Sequence, residues 1–206
     1  MLSTQLAPPR VLSDALLPRR GTRLLATDLL LATLFSGLVA ASAHLRIPLP
    51  FTPVPITGQT FAVLFTGAVL GGRRAFLTLL LYLAEGIAGL PVFAGGLSGA
   101  IHIAGPTGGY LLSYPLAAGC AGLLAEHGWD RTPMRAACAM TLASGIIFAL
   151  GVAWLAPFVG GIGSAIVRGL FPFLPGEVIK IALAAALLPA GWKLVERLQP
   201  GSRSDQ

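Results

Sequence analysis

The chain has 206 residues, of which 55% are hydrophobic and only 11% charged, with a mean hydropathy of +0.80. A soluble domain carries about a quarter charged residues, so a soluble globular class is excluded and one integral membrane domain is expected. The formal net charge of +6 raises nucleic acid or a membrane surface as partners, but the placement of the charges decides for membrane topology, as the chain order shows.

Residues 1–23 carry Arg10, Arg19, Arg20 and Arg23 ahead of a long apolar run. The run from Leu24 exceeds the 7–15 residues usual for a signal peptide and matches a bilayer span. It is therefore read as a mature helix behind a flexible cytoplasmic tail. The first helix is predicted from Leu24 to about His44, with Ala32, Ser36 and Ala40 in one row of small residues and Gly37 and Ala41 in another. Such rows let a second helix approach closely, inside the same chain or from a partner.

Four prolines between Pro48 and Pro55 exclude regular helix and predict an ordered outer loop. A short second helix is expected over about Thr57–Leu70, with Gln59 at its start, and a third over about Ala75–Gly89, carrying Tyr82 and Glu85. Residues 90–109 are apolar but rich in glycine. Non-helical backbone at that depth must be buried in protein or line a cavity, so a loop folded over the outer mouth is predicted. The fourth helix is expected at about Tyr110–Ala125, the fifth at about Met134–Phe158, then a Gly/Pro-containing connection over 160–174 with Arg168, and the sixth at about Pro175–Leu198 ahead of a polar tail, 199–206.

With the N-terminus inside, eleven of the fourteen Lys and Arg residues fall on cytoplasmic segments and only Arg46 and Arg168 on outer loops, while Lys180 lies within a span. This positive-inside bias predicts an all-α integral membrane protein with six transmembrane helices and both termini cytoplasmic. Trp129 and Trp192 are expected at the inner interface and Trp154 nearer the outer one. Nucleic acid is not needed as a partner. Cys120 and Cys138 are read as small packing residues.

No G-x-x-x-x-G-K-[ST] or G-x-G-x-x-G motif is present, so the chain is not expected to hydrolyse ATP. His44, His102 and His127 lack zinc-ligand spacing, and Gly96-Leu-Ser-Gly99 is not a nucleophile elbow. No metal, cofactor or enzymatic activity is expected. What remains is a polar set gathered toward the outer side: Gln59, Tyr82, Glu85, Thr107, Tyr110, Glu177 and Lys180. Pro175 suits a helix first turn, Glu177 is favoured there by the helix dipole, and Lys180 follows on the same face. Lys180 lies roughly 7.5 Å inside the helix, where an ammonium costs about 2.5–3.5 kcal/mol. A charge at that depth points to a ligand site, against snorkelling or simple pairing with Glu177 as the structural alternative. One buried cation, several hydrogen-bonding groups and apolar walls describe a pocket for a mostly apolar organic anion.

Pro55-Ile-Thr-Gly-Gln-Thr60, Gly89-Leu-Pro-Val-Phe-Ala-Gly-Gly96, Gly105-Pro-Thr-Gly-Gly-Tyr110 and Pro172-Phe-Leu-Pro-Gly-Glu-Val-Ile-Lys180 together resemble the BioY family, the biotin-binding S components of energy-coupling factor (ECF) transporters. The resemblance spans about Leu24 to Leu198. It implies the six-helix S-component fold, multi-pass insertion in the cell (inner) membrane, and biotin captured from the outer side as the transported substrate. It also implies a transmembrane T component and two ATPase subunits as partners, and it leaves self-association open. In that reading Lys180 pairs with the valerate carboxylate beside Glu177. Gln59, Tyr82, Glu85, Thr107 or Tyr110 serve the ureido ring or border the pocket, and Phe93 packs on the apolar part. The family's docking motif for the T component falls on Ala32 and Ser36. Two positions depart from the family pattern: Ser36 where Ala is usual and Glu177 where Asp is typical. Some relatives place an arginine after the Pro-Val-Phe stretch; residues 94–104 hold none, and Arg168 is the candidate second cation. A stand-alone transporter coupled to protons through Glu85 or Glu177, or an intramembrane enzyme using Lys180 as base, are the competing readings.

Overall fold

The computed structural model describes residues 11–17 and 24–198. The long apolar segments form helices: α2 (Leu24–His44), α3 (Gln59–Leu70), α4 (Gly72–Ile87), α6 (Gly108–Glu126), α7 (Pro133–Val159) and α9 (Leu174–Leu198). These six correspond in order to the helices predicted from the sequence. By length and composition, α2, α6, α7 and the segment running through to the end of α9 can cross a bilayer, while α3 is a shorter apolar helix.

Five shorter elements complete the order: α1 (Leu12–Leu16), strands β1 (Arg46–Ile47) and β2 (Ile56–Thr57), α5 (Ala100–Ala104) and α8 (Ile162–Gly169), with a 3-10 turn at Phe171–Phe173 leading from α8 into α9. Helix α8 lies where the sequence predicts only a connection. Its glycines flank the helix or sit in its first and last turns, and Arg168 is in its last turn, where a cation suits the helix dipole.

Helix α6 is the centre of the bundle and packs against α3, α4 and α7. Its small residues make this close approach feasible. A Cβ added at Gly67 of α3 would run into Ala118 and Ala121, and one added at Gly122 would run into the Gly71–Gly72 backbone. Without a hydrophobic drive between helices in lipid, close backbone packing supplies the attraction. Helix α2 flanks α3 and α4, while α9 closes the bundle against α7 and α3.

At one end of the bundle, α1 packs on α3 and α9. Val11, Leu12, Ser13 and Ala15 are buried, and Arg74 clamps the helix through Asp14 at 2.7 Å and Ser13 at 3.1 Å while also reaching Asp28 at 3.3 Å. The predicted flexible tail is thus corrected over residues 11–17, because these apolar side chains find a groove and Asp14 finds a cation. The remainder of that tail, and the one after Leu198, lie outside the described residues.

Trp192 is held by charged partners. It is 4% exposed, donates from Nε1 to Asp130 Oδ2 at 2.6 Å and is covered by the Arg131 guanidinium. An aromatic with a polar partner within reach serves in the packed end of the bundle as well as at an interface. Trp154 is 40% exposed, and its Nε1 donates to Gly105 O at 3.0 Å, tying α7 to the turn that starts α6. Cys120 and Cys138 are free thiols.

Candidate binding site

At the end of the bundle opposite α1, the starts of α3, α6 and α9 meet a cavity of about 320 Å³. That is within the range of small-molecule sites. The Pro-rich hairpin β1–β2 and the Phe93–Leu97 turn lie over it, the two strands pairing antiparallel with Arg46 opposite Thr57.

The polar wall comes from α3, α7 and α9. Glu177 is 3% exposed. Its Oε1 accepts from Ser144 Oγ at 2.6 Å and its Oε2 from Thr60 Oγ1 at 2.9 Å. Lys180 Nζ donates to Thr60 Oγ1 at 2.7 Å and stands 3.5 Å from Glu177 Oε2. One hydroxyl therefore accepts from the ammonium and donates to the carboxylate, which fixes both charged groups. A buried charge is tolerated only when paired and hydrogen-bonded in this way. The apolar wall comes from aromatics and leucines, among them Phe93, Leu97, Leu111, Phe148 and Phe173.

The positions predicted from the sequence divide into two groups. Lys180, Glu177, Gln59, Phe93, Thr107 and Tyr110 line the cavity; Tyr82 and Glu85 do not. Tyr82 is fully buried behind it. Its hydroxyl accepts from Gln59 Nε2 at 2.6 Å and donates to Val92 O at 3.0 Å, and its ring meets Phe93 edge-on at 5.8 Å. Tyr82 therefore orients two lining residues. Glu85 faces α2 instead, where its Oε2 accepts a hydrogen bond from Ser36 Oγ.

That bond also bears on the small-residue row of α2. Ser36 is 0% exposed and Ala32 half-buried, so this small-residue row packs within the chain, against α3 and α4. Gly37 and Ala41, of the second row, are exposed. Arg168 does not line the cavity, whereas Arg46 does.

Sequence reasoning missed Thr60, Ser144, Tyr114 and Arg46 as lining or supporting groups. Thr60 had a signal, since it stands beside Gln59 in the Pro-Ile-Thr-Gly-Gln-Thr stretch. Ser144 had only its polarity in a 27-residue apolar helix. Arg46 was absorbed into the count of loop charges.

A helical bundle with apolar outer faces and a closed polar cluster at one end defines a membrane-embedded binding protein. Its fold is shared with the crystal structure of the S-component for biotin from an ECF-type ABC transporter, at a TM-score of 0.73 and 22% identity, covering 85% of this chain and 95% of that one. The BioY family model matches residues 14–197, and the chain belongs to the BioY family. Among its relatives, a probable biotin transporter BioY of Pyrococcus horikoshii is 36% identical over 84% of this chain and 97% of its own length. The biotin transporters BioY of Rhizobium etli and Thermotoga maritima are 38% and 40% identical, each over 78% of this chain and 90% and 92% of their own lengths.

Proposed function

We propose that this chain captures biotin as the membrane-embedded S component of an ECF-type transporter and passes it inward together with a T component and two ATPase subunits. The observation that carries the reading is the Lys180–Thr60–Glu177 cluster, backed by Ser144, in the wall of a cavity also lined by aromatic and aliphatic side chains. Biotin is a mostly apolar bicycle with a neutral urea at one end and a carboxylate at the other. Lys180 is already matched by Glu177, so the cluster is neutral as a whole and offers a donor beside an acceptor. That pattern complements a urea, which accepts at its carbonyl and donates from its N–H groups. Gln59 and Thr107 supply further hydrogen-bonding groups along the cavity, Tyr110 borders it with its hydroxyl donating to Gly169 O at 2.7 Å, and Phe93 and Phe173 pack on the bicycle.

Residues 24–198 form the membrane domain in this reading. All six long helices cross the cell (inner) membrane, the termini are cytoplasmic and the cavity opens outward, in line with the positive-inside count. The chain itself is not an enzyme, and ATP hydrolysis belongs to its partners.

Isothermal titration of the purified protein with biotin tests the assignment. Lys180→Ala removes the ammonium and leaves Glu177 short of its counter-ion. Affinity is expected to fall about a hundredfold, the size of losing one charge-assisted contact together with its preorganised partner. Unchanged affinity in Lys180→Ala removes this cluster from the site.

A further inference from the structure

Arg46 stands at the mouth of the same cavity and has no assigned role. It is exposed, lies on β1 opposite Thr57, and lines the cavity with that residue. Its guanidinium rests directly against Gly95 of the Phe93–Leu97 turn: any Cβ at Gly95 would overlap its nitrogen atoms. Gly95 has φ of +79°, a conformation glycine adopts at no steric cost. The turn thus both bends sharply and leaves room for the arginine. Arg46 thus brings the hairpin against the turn beside the cavity.

The charges around the cavity are unequal in their pairing. Glu177 is the one acid in the lining, and it is taken by Lys180. Among the described residues Arg46 has no ion pair. The inner cluster is therefore neutral and the mouth carries an uncompensated cation. A planar guanidinium matches a carboxylate in bidentate geometry, and a cation at the rim of a low-dielectric cleft draws anions toward it.

We propose that Arg46 binds the carboxylate of the ligand at the cavity mouth, while the Lys180–Glu177 cluster holds its neutral polar end. The Arg46 contact bridges the β1–β2 hairpin and the Phe93–Leu97 turn, so the bound carboxylate also fastens the two segments that cover the site. The proposal rests on the biotin reading and specifies the direction in which the ligand lies.

The test compares biotin with biotinamide, its uncharged carboxamide, by titration calorimetry on the full chain in detergent. The wild-type protein is expected to prefer the acid. Arg46→Gln should weaken biotin about tenfold, the scale of one charge-assisted contact, while changing biotinamide by less than about twofold. Lys180→Ala should weaken both ligands together. Arg46→Lys should recover only part of the preference, because a point charge lacks the guanidinium fork. Equal effects of Arg46→Gln on both ligands, or none on either, overturn the proposal. So does loss of the acid preference in Lys180→Ala with Arg46→Gln unaffected. If the wild-type protein binds neither ligand, the biotin reading itself fails and takes this inference with it.

Discussion

Glu177 shows how one side chain can hold a site together. Its two oxygens accept from Ser144 and Thr60 and face Lys180, so three helices are tied through one carboxylate. Removing it leaves the Lys180 charge buried without its partner, and breaking a buried pair costs about 3–5 kcal/mol. Glu177→Ala is therefore expected to lower the melting temperature in detergent sharply and to abolish biotin binding. Glu177→Gln keeps the size and a hydrogen-bonding end and should be the milder of the two. Ser144→Ala removes a single hydrogen-bond donor to Glu177 and should cost about 1–2 kcal/mol, read by the same melts; a Ser144→Ala protein as unstable as Glu177→Ala would contradict this ranking. At this scale the sequence was partly informative. The Glu177–Lys180 spacing identified a pair on one helix face, but Thr60 and Ser144 are 117 and 33 residues away from Glu177 in the chain. Periodicity within one helix cannot report such partners.

Among the elements, α3 and α6 cross at close range, with Gly67 set against the Ala118 backbone and the Ala121 side chain. Gly67→Leu should force these helices apart. Overpacking of a tight contact costs about 1–3 kcal/mol, and because Gln59 and Thr60 begin α3, the same displacement should loosen the site. The expected outcome is a lower melting temperature together with weaker biotin binding. Gly145→Leu serves as the comparison, since a Cβ there meets nothing within 4 Å, and its melting temperature should stay near that of the wild type. The sequence does not name the partner of Gly67, because small residues recur on several helices of this chain. The same holds for the Ala32–Ser36 row: only the packed structure shows that Ser36 turns inward to Glu85.

For the whole molecule, the two ends have different electrostatic characters. The cavity end holds its charges as a hydrogen-bonded cluster. The opposite end is clamped by Arg74 on Asp14 and Asp28, and by Asp130 under Trp192 and Arg131. Asp130 is 1% exposed. Burial raises its carboxyl above the ordinary 3.8, against the lowering effects of the Trp192 hydrogen bond and the Arg131 charge. A raised acid binds more protons folded than unfolded, so its contribution to stability is fullest below the unfolded value and is lost as pH rises through the folded one. Asp130→Asn mimics the protonated form and does not titrate. The melting temperature of the wild type minus that of Asp130→Asn is thus expected to fall as pH is raised from 4 to 7; a difference that grows with pH would reverse the assignment.

Composition and the run of apolar segments determined by themselves that this is a helical membrane protein with its helices in this order. Backbone in lipid is satisfied only by helices or closed barrels, apolar runs of about 20 residues select helices, and glycine and proline mark where several of them stop. The Glu177–Lys180 motif likewise announced a site, because an ammonium at that depth has to be held by something. The tertiary structure decided which polar groups face one another. It put Thr60 and Ser144 on Glu177, turned Ser36 and Glu85 toward each other, seated α1 in a groove, and brought Arg46 over Gly95 to the mouth of the cavity. Each of these depends on which faces of distant helices meet, and that follows from the packing of the whole bundle rather than from the pattern along any one segment.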